Sequence, residues 1–395
     1  MYPKPYNKKS VDPFTKTRII LMNGTEFESV GFLHNFARVC ADADLKREIA
    51  LIRNQEQQQQ KRIACLKPLD EHFLETTIGY EQLAIELTAL LAKGECCPEN
   101  KIALDFALLE DFDHLFRFAN LLKTDMGIDA SKLVGKLTEI MPGRPTINEH
   151  RHPRDFIKRP ICAKTADPYS ILVAGIITAA EQQTMNFYMN MAANYPNDAG
   201  RKLYAEIGMV EEMHVSQYES LQDPTCTWLE RWLMHEYTEC YLYFSVMENE
   251  SDPRIKEIWR EHFEMECAHL KHVADLLKKY EKKPASAVLP KPAFPALIAF
   301  GPSNIEYVRR VITDTVWLTS NREDYIDARE LAPTADFFKY NSAVNGTPPD
   351  APSHAVIAQS IRASANDFRF QTAPHPIAPL DDRTHDNITV GRTAK

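Results

Sequence analysis

The residues best suited to chemistry are glutamates and histidines at a repeated interval. Glu181 precedes the run Glu211-Glu212-Met213-His214, and Glu236 precedes Glu266-Cys267-Ala268-His269. In each copy 30 residues separate the lone glutamate from the glutamate of the ExxH run, and 33 separate it from the histidine. The two copies are offset by 55 residues. Carboxylate and imidazole donors suit iron or manganese, whereas zinc more often recruits cysteine thiolates. Four carboxylates would balance two divalent cations, so this chemistry is that of a metal pair.

The interval has a geometric meaning. Pro196 lies midway between Glu181 and Glu211, in the turn-like stretch Asn194 to Asp198, and Ser251, beside Asp252-Pro253, lies midway between Glu236 and Glu266. A helix rises ~1.5 Å per residue, so equal arms about a turn bring both glutamates to one height in an antiparallel hairpin. Within each ExxH run the i and i+3 side chains share a helix face. The predicted helices are Pro168–Tyr195, Asp198–Leu221, Thr227–Glu248 and Pro253–Tyr280. They are expected to form one four-helix bundle with Glu181, Glu211, His214, Glu236, Glu266 and His269 at a shared depth. From Pro168 to Asn197 the only charged residue is Glu181. A lone ionised carboxylate in an apolar helix costs several kcal/mol unless it is paired or metal-bound.

A weaker third copy precedes these two. Glu81 lies 30 residues before Asp111 and 33 before His114, with the midpoint at Cys96, two residues before Pro98. Asp111 is one methylene short, and Glu75, Glu110 and Asp113 are nearby acids that could compensate. One hairpin supplies half a site, so the other half is expected from a partner subunit across a two-fold axis. The alternative is a decayed copy that keeps only a buried acid–histidine contact.

These residues together resemble the ferritin-like di-iron carboxylate superfamily, especially its rubrerythrin-like branch. That ligand set is one Glu from each of two helices and Glu-x-x-His from each of the other two. The resemblance covers about Pro168 to Tyr280. It implies terminal carboxylates at Glu181 and Glu236, bridging ones at Glu211 and Glu266, and nitrogen ligands at His214 and His269. The implied cofactor is two iron ions, with manganese or a mixed pair as alternatives. The implied activity is an oxidoreductase, an oxygenase in which the reduced metals react with O2 or peroxide and oxidise a small organic substrate. Peroxide removal of the manganese catalase or peroxidase type, and iron storage or sequestration, are the other family activities. The chain lacks paired CxxC knuckles, so a separate electron donor is expected. Tyr188 and Tyr243 follow Glu181 and Glu236 by seven residues, on the same helix face. They are read either as core packing or as hydrogen-bonding and oxidisable neighbours of the metals. Glu212 and Glu239 are read as salt-bridging acids or as shifting ligands.

The rest of the chain frames this centre. With 395 residues, two or three domains fit, and with only 13 glycines the class is expected to be all-α. The expected divisions are an N-terminal arm and polar helix (1–66), the hairpin of the weaker copy with its connecting loop (67–160), the ferritin-like bundle (161–283) and an irregular Pro-rich C-terminal arm (284–395). Val11 to Gly31 is read as a strand or arm. Leu45 to Leu66 is read as a polar helix whose run Gln55 to Gln60 faces solvent. One further helix is expected over Asn304–Tyr325, then a tail from Ala332 that wraps or is partly disordered. The stretch Glu149 to Asp155 reads as a polar loop that could close over the pocket. A net charge of −9 argues against a nucleic-acid partner. No apolar run reaches membrane length, and the N-terminus has no apolar core, so the expected compartment is the cytoplasm. Eight cysteines without a CxxC pair are expected to be reduced. No GxGxxG, GxxxxGK or GxSxG motif points to nucleotides or serine hydrolysis.

Overall fold

The computed structural model describes residues 2–135, 138–140, 151–289, 294–301, 304–315, 318–345 and 351–365. Among them the chain is mostly helical, and its long helices come in four hairpins. α1 (Pro13–Val39) turns into α2 (Ala43–Ala64), and α3 (Phe73–Gly94) into α4 (Pro98–Met126). After the short α5 (Ser131–Val134), α6 (Pro168–Asn194) turns into α7 (Asp198–Ser220), and α8 (Trp228–Asn249) into α9 (Pro253–Glu281).

The same local chemistry starts these helices. Asp12, Asp42, Asp167, Asn197 and Asp252 each cap exposed backbone N–H groups of the first turn. His72 with Glu75, and Thr227 with Glu230, close reciprocal capping boxes. Proline opens α1, α4, α6 and α9, where its missing N–H costs nothing. In every hairpin only three residues join the two helices: 40–42, 95–97, 195–197 and 250–252. A turn of fixed length at a fixed place sets which residues of the two helices share a level.

Hairpin α6–α7 packs on α3–α4, and α8–α9 packs on α1–α2. The second half expected from a partner subunit for the α3–α4 hairpin thus comes from the same chain. Helix α1 also lies along α3 and α6, joining the two groups. At the α1–α6 crossing Gly24 lies against Gln183: a Cβ there would sit 2.6 Å from Nε2 and 3.3 Å from Cβ of Gln183, so that side chain would have to move. One apolar core runs through both groups, from Leu21 and Leu83 to Ile177, Ile207 and Trp259.

Three expectations about elements are corrected. From Pro13 onward the stretch Val11 to Gly31 is helical, within α1; its buried charges mask the periodicity, and Arg18 is paired with Glu250 at 3.0 Å. The glutamine run of α2 is not simply a solvated face, since Glu56 and Gln59 are buried. The segment expected as one helix over Asn304–Tyr325 divides into α10 (Ile305–Thr315) and an antiparallel pair, β1 (Leu318–Asn321) and β2 (Asp324–Asp327). The tail from Ala332 contains α11 (Asp336–Asn345) and α12 (Pro352–Ser364), and α12 packs on α4 and α7. Residues 346–350 and 366–395 of that tail, and Pro290 and Pro292 of the expected Pro-rich arm, lie outside the described residues.

Candidate metal centres

The six expected ligands do not converge. Three sit in one buried cluster and three in another, because each ExxH hairpin faces one of the two earlier hairpins and not its sequence neighbour.

The first centre lies between α3, α4, α6 and α7. Glu211 sits between two imidazoles: its Oε1 is 3.0 Å from Nδ1 of His114 and its Oε2 is 3.0 Å from Nδ1 of His214. Nδ1 of His214 is also 3.3 Å from Asp111 and 3.9 Å from Glu181. Two groups of potential donor atoms result, Asp111/Glu181/Glu211/His214 and Glu81/His114/Glu211, with Glu211 common to both. The hairpin bearing Glu81, Asp111 and His114 is therefore the other half of this centre.

The second centre lies between α1, α2, α8 and α9. Nδ1 of His269 is 3.0 Å from Glu56, 3.2 Å from Glu266 and 3.7 Å from Glu236. A further group, Glu26/Glu56/Glu239, adjoins it and shares Glu56. Glu26, Glu56 and Gln59 were not anticipated. They form a fourth copy at the same intervals of 30 and 33, offset by 55 from Glu81, Asp111 and His114. The signal was present in the spacing, but a glutamine stands where the other copies have histidine. Gln59 Nε2 donates to Glu266 and, at 3.3 Å, to Glu26.

The neighbours are matched between centres. Nε2 of His214 is 2.7 Å from Glu110, and Nε2 of His269 is 2.9 Å from Oε1 of Gln55. An acceptor at Nε2 holds a proton there and leaves Nδ1 facing the carboxylates, the nitrogen whose own proton a cation would displace. Tyr188 donates to Glu81 at 2.5 Å, and Tyr243 donates to Glu26. Each tyrosine thus engages the lone glutamate of the opposite hairpin. The Trp232 indole N–H donates to Glu236 at 2.6 Å. Other acids considered at the sequence level lie elsewhere: Glu75 binds Lys8, Asp113 binds Arg117, and Glu212 accepts from Ser216. In the stretch Glu149 to Asp155, Glu149 and His150 lie outside the described residues. Arg151 is fully buried beside the first centre, donating to Gln217 at 2.8 Å and 3.5 Å from Glu110.

The electrostatics ask for cations. Both oxygens of Glu181 and of Glu239, and one oxygen each of Glu26 and Glu81, are buried without a hydrogen-bond donor. Burial first, and then repulsion among the acids, pushes Glu26, Glu81, Glu236 and Glu239 well above the usual carboxylate range. The same causes lift Glu181 and Glu266 to about 7. Burial would also raise Glu211, but His114 and His214 outweigh it and hold Glu211 at about 2. Burial opposes charge on His269, yet Glu266 and Glu56 prevail and raise it to about 11. Protons here occupy the places that a cation pair would fill, and the oxygen-rich donor set fits such a pair.

No disulfide joins any of the eight cysteines in this structure. No helix among the described residues is long and apolar enough to cross a membrane. In comparisons with known proteins, no family model, no curated protein and no solved structure matches the chain.

Proposed function

We propose that the chain is a di-metal carboxylate oxidoreductase of ferritin-like character, with iron as the metal and a small organic molecule as the substrate. The single observation behind this reading is the pair of buried clusters of carboxylates and histidines, several of whose oxygens lack a donor. Asp111, Glu181, Glu211 and His214 would hold one ion of the first centre, and Glu81, His114 and Glu211 the other. Glu56, Glu236, Glu266 and His269 would hold an ion in the second. Bound ferrous ions would supply electrons for the reduction of O2 or peroxide.

The surrounding residues do the rest. Glu110 and Gln55 keep the proton of His214 and His269 on Nε2 and aim Nδ1 inward. Tyr188 and Tyr243 restrain the lone glutamates by donating hydrogen bonds to them. Arg151 places a buried positive charge behind the Glu110–His214 pair, and its guanidinium stacks over Phe106 and Phe156. Tyr325 closes the same side through a 3.2 Å hydrogen bond to Gln217. Covering of the first centre by segments outside the hairpins favours an enzyme over an ion store. Electrons would come from a separate donor protein.

The test is elemental analysis of protein purified without added metal, beside Glu211→Ala and Glu266→Ala. Iron in the unmodified chain, lost from one centre in each variant, is the expected result. Anaerobic Fe(II) loading followed by O2 should then change the near-ultraviolet absorption. No bound metal, or no optical change on adding O2 to loaded protein, defeats the reading. Manganese with sustained O2 release from peroxide would replace it with peroxide removal.

A further inference from the structure

The two centres are built on the same spacing but not from the same donors. At the position where the first centre has His114, the second has Gln59. The second centre also gains an acid: Glu239 joins Glu26 and Glu56, with donor atoms within 4.8 Å of one another. The residue at the equivalent place in the first centre, 55 positions earlier, is Thr184, whose hydroxyl donates to the Ala180 carbonyl. An imidazole has thus been exchanged for a carboxylate and an amide.

We infer that Glu26, Glu56, Glu239 and Gln59 form an all-oxygen site for a hard divalent cation of the manganese or magnesium kind. This site presupposes that the clusters bind metal at all. Oxygen-only sets suit Mg2+, Ca2+ and Mn2+, whereas imidazole raises the preference for iron and zinc. The acids alone would not make the case. Both oxygens of Glu239 and the Oε1 of Gln59 are buried and have no partner, within an interior where each is 1 to 2% exposed. The Gln59 amide now points Nε2 at Glu26 and Glu266; rotating it by half a turn would bring Oε1 to the cluster when a cation arrives.

A cavity also approaches the site. A cavity of about 620 Å3 between α1, α6 and α8 reaches Glu239. Glu28, Glu219 and Asp223 line it with Arg231, His34 and His235, the last 3.2 Å from Glu28. Such a vestibule concentrates cations. Gly175 lines its wall, and a Cβ there would meet no atom within 4 Å. Gly175→Leu should therefore narrow the passage without disturbing the helix.

The experiment titrates metal-free full-length protein with Mn2+, following the free-ion signal by electron paramagnetic resonance. Equimolar Mn2+ and Fe2+ are then loaded anaerobically and the retained metals counted. Glu239→Gln should weaken one class of Mn2+ site by ~10-fold or more, a typical size for a lost metal-site partner, and leave the first centre loaded. Gln59→His should lower the retained Mn2+:Fe2+ ratio. Gly175→Leu should slow Mn2+ uptake. Melting curves in chelator verify that each variant is folded. Unchanged Mn2+ binding in Glu239→Gln, or an unchanged metal ratio in Gln59→His, overturns the all-oxygen site, and unchanged uptake in Gly175→Leu overturns the route. If the first centre of the unmodified chain takes no metal either, the broader metal-binding reading falls with it. If the first centre loads and these variants change nothing, only the hard-cation site is lost.

Discussion

Glu211 is held low, at about 2, while Glu181 across the same centre sits at about 7. The difference is one of neighbours: two imidazoles face Glu211, and burial with the Glu211 charge dominates at Glu181. A pH dependence follows for the metal-free protein. A carboxyl raised from 4.5 to about 7 on folding binds more protons in the native state between those values. Its contribution is present at low pH and is lost as pH climbs through about 7. His269, raised to about 11, acts in the same direction, its contribution fully present below 6.5 and lost as pH rises toward about 11. Chelated protein should therefore melt lower at pH 8 than at pH 6. Metal uptake should release protons, detectable in a weakly buffered indicator assay, and tighten as pH rises. A chelated protein that gains stability from pH 6 to pH 8 would contradict this electrostatic picture. Tyr188→Phe leaves a Glu81 oxygen without its donor and should cost ~1–3 kcal/mol in chelator, read from denaturant midpoints.

At the level of elements, the hairpin was legible and its partner was not. Equal arms about a three-residue turn fix the height of Glu181 against Glu211, and that constraint lies wholly within one hairpin. All four hairpins carry the same arms, so the spacing cannot say which pairs with which. Nor does it say how the two groups meet, which involves surfaces such as the α1–α6 crossing, where Asn23 donates to Gln183 at 2.6 Å and Gln183 donates to the Ile20 carbonyl at 3.0 Å beside Gly24. The first hairpin stayed hidden for two further reasons. Gln59 breaks the ExxH signature, and the buried Arg18 and Glu26 obscure the apolar stripe of α1. β1 and β2 were missed because each has only four residues. Gly24→Leu should displace Gln183 and cost ~1–3 kcal/mol by overpacking, more than the ~1 kcal/mol gained in helix propensity. Its urea midpoint should fall, and the second centre should lose metal because Glu26 is two residues away. An unshifted midpoint would mean that α1 and α6 do not need this close approach.

Over the whole molecule, two centres of different charge are embedded in one continuous core. Apolar residues from α1, α3, α4, α6, α7, α8 and α9 belong to a single buried cluster. A smaller cluster, with Leu33, Ile49, Trp232 and Leu277, lies within the second group of hairpins. Metal removal should act on this unit as ligand release does: each site held at 100 times its dissociation constant contributes ~2.7 kcal/mol to the native state. Chelation should consequently lower the melting temperature by several degrees, and adding metal back should restore it. Glu211→Ala should abolish the share from the first centre and Glu266→Ala the share from the second. The centres have no ligand in common, so the two losses should add in the double variant, within the tolerance expected of separate sites. The shared core makes a single calorimetric transition the expected outcome throughout. Two resolved transitions, each moved by only one of the variants, would instead show that the paired hairpins unfold as separate units despite the contacts of α1 with α3 and α6.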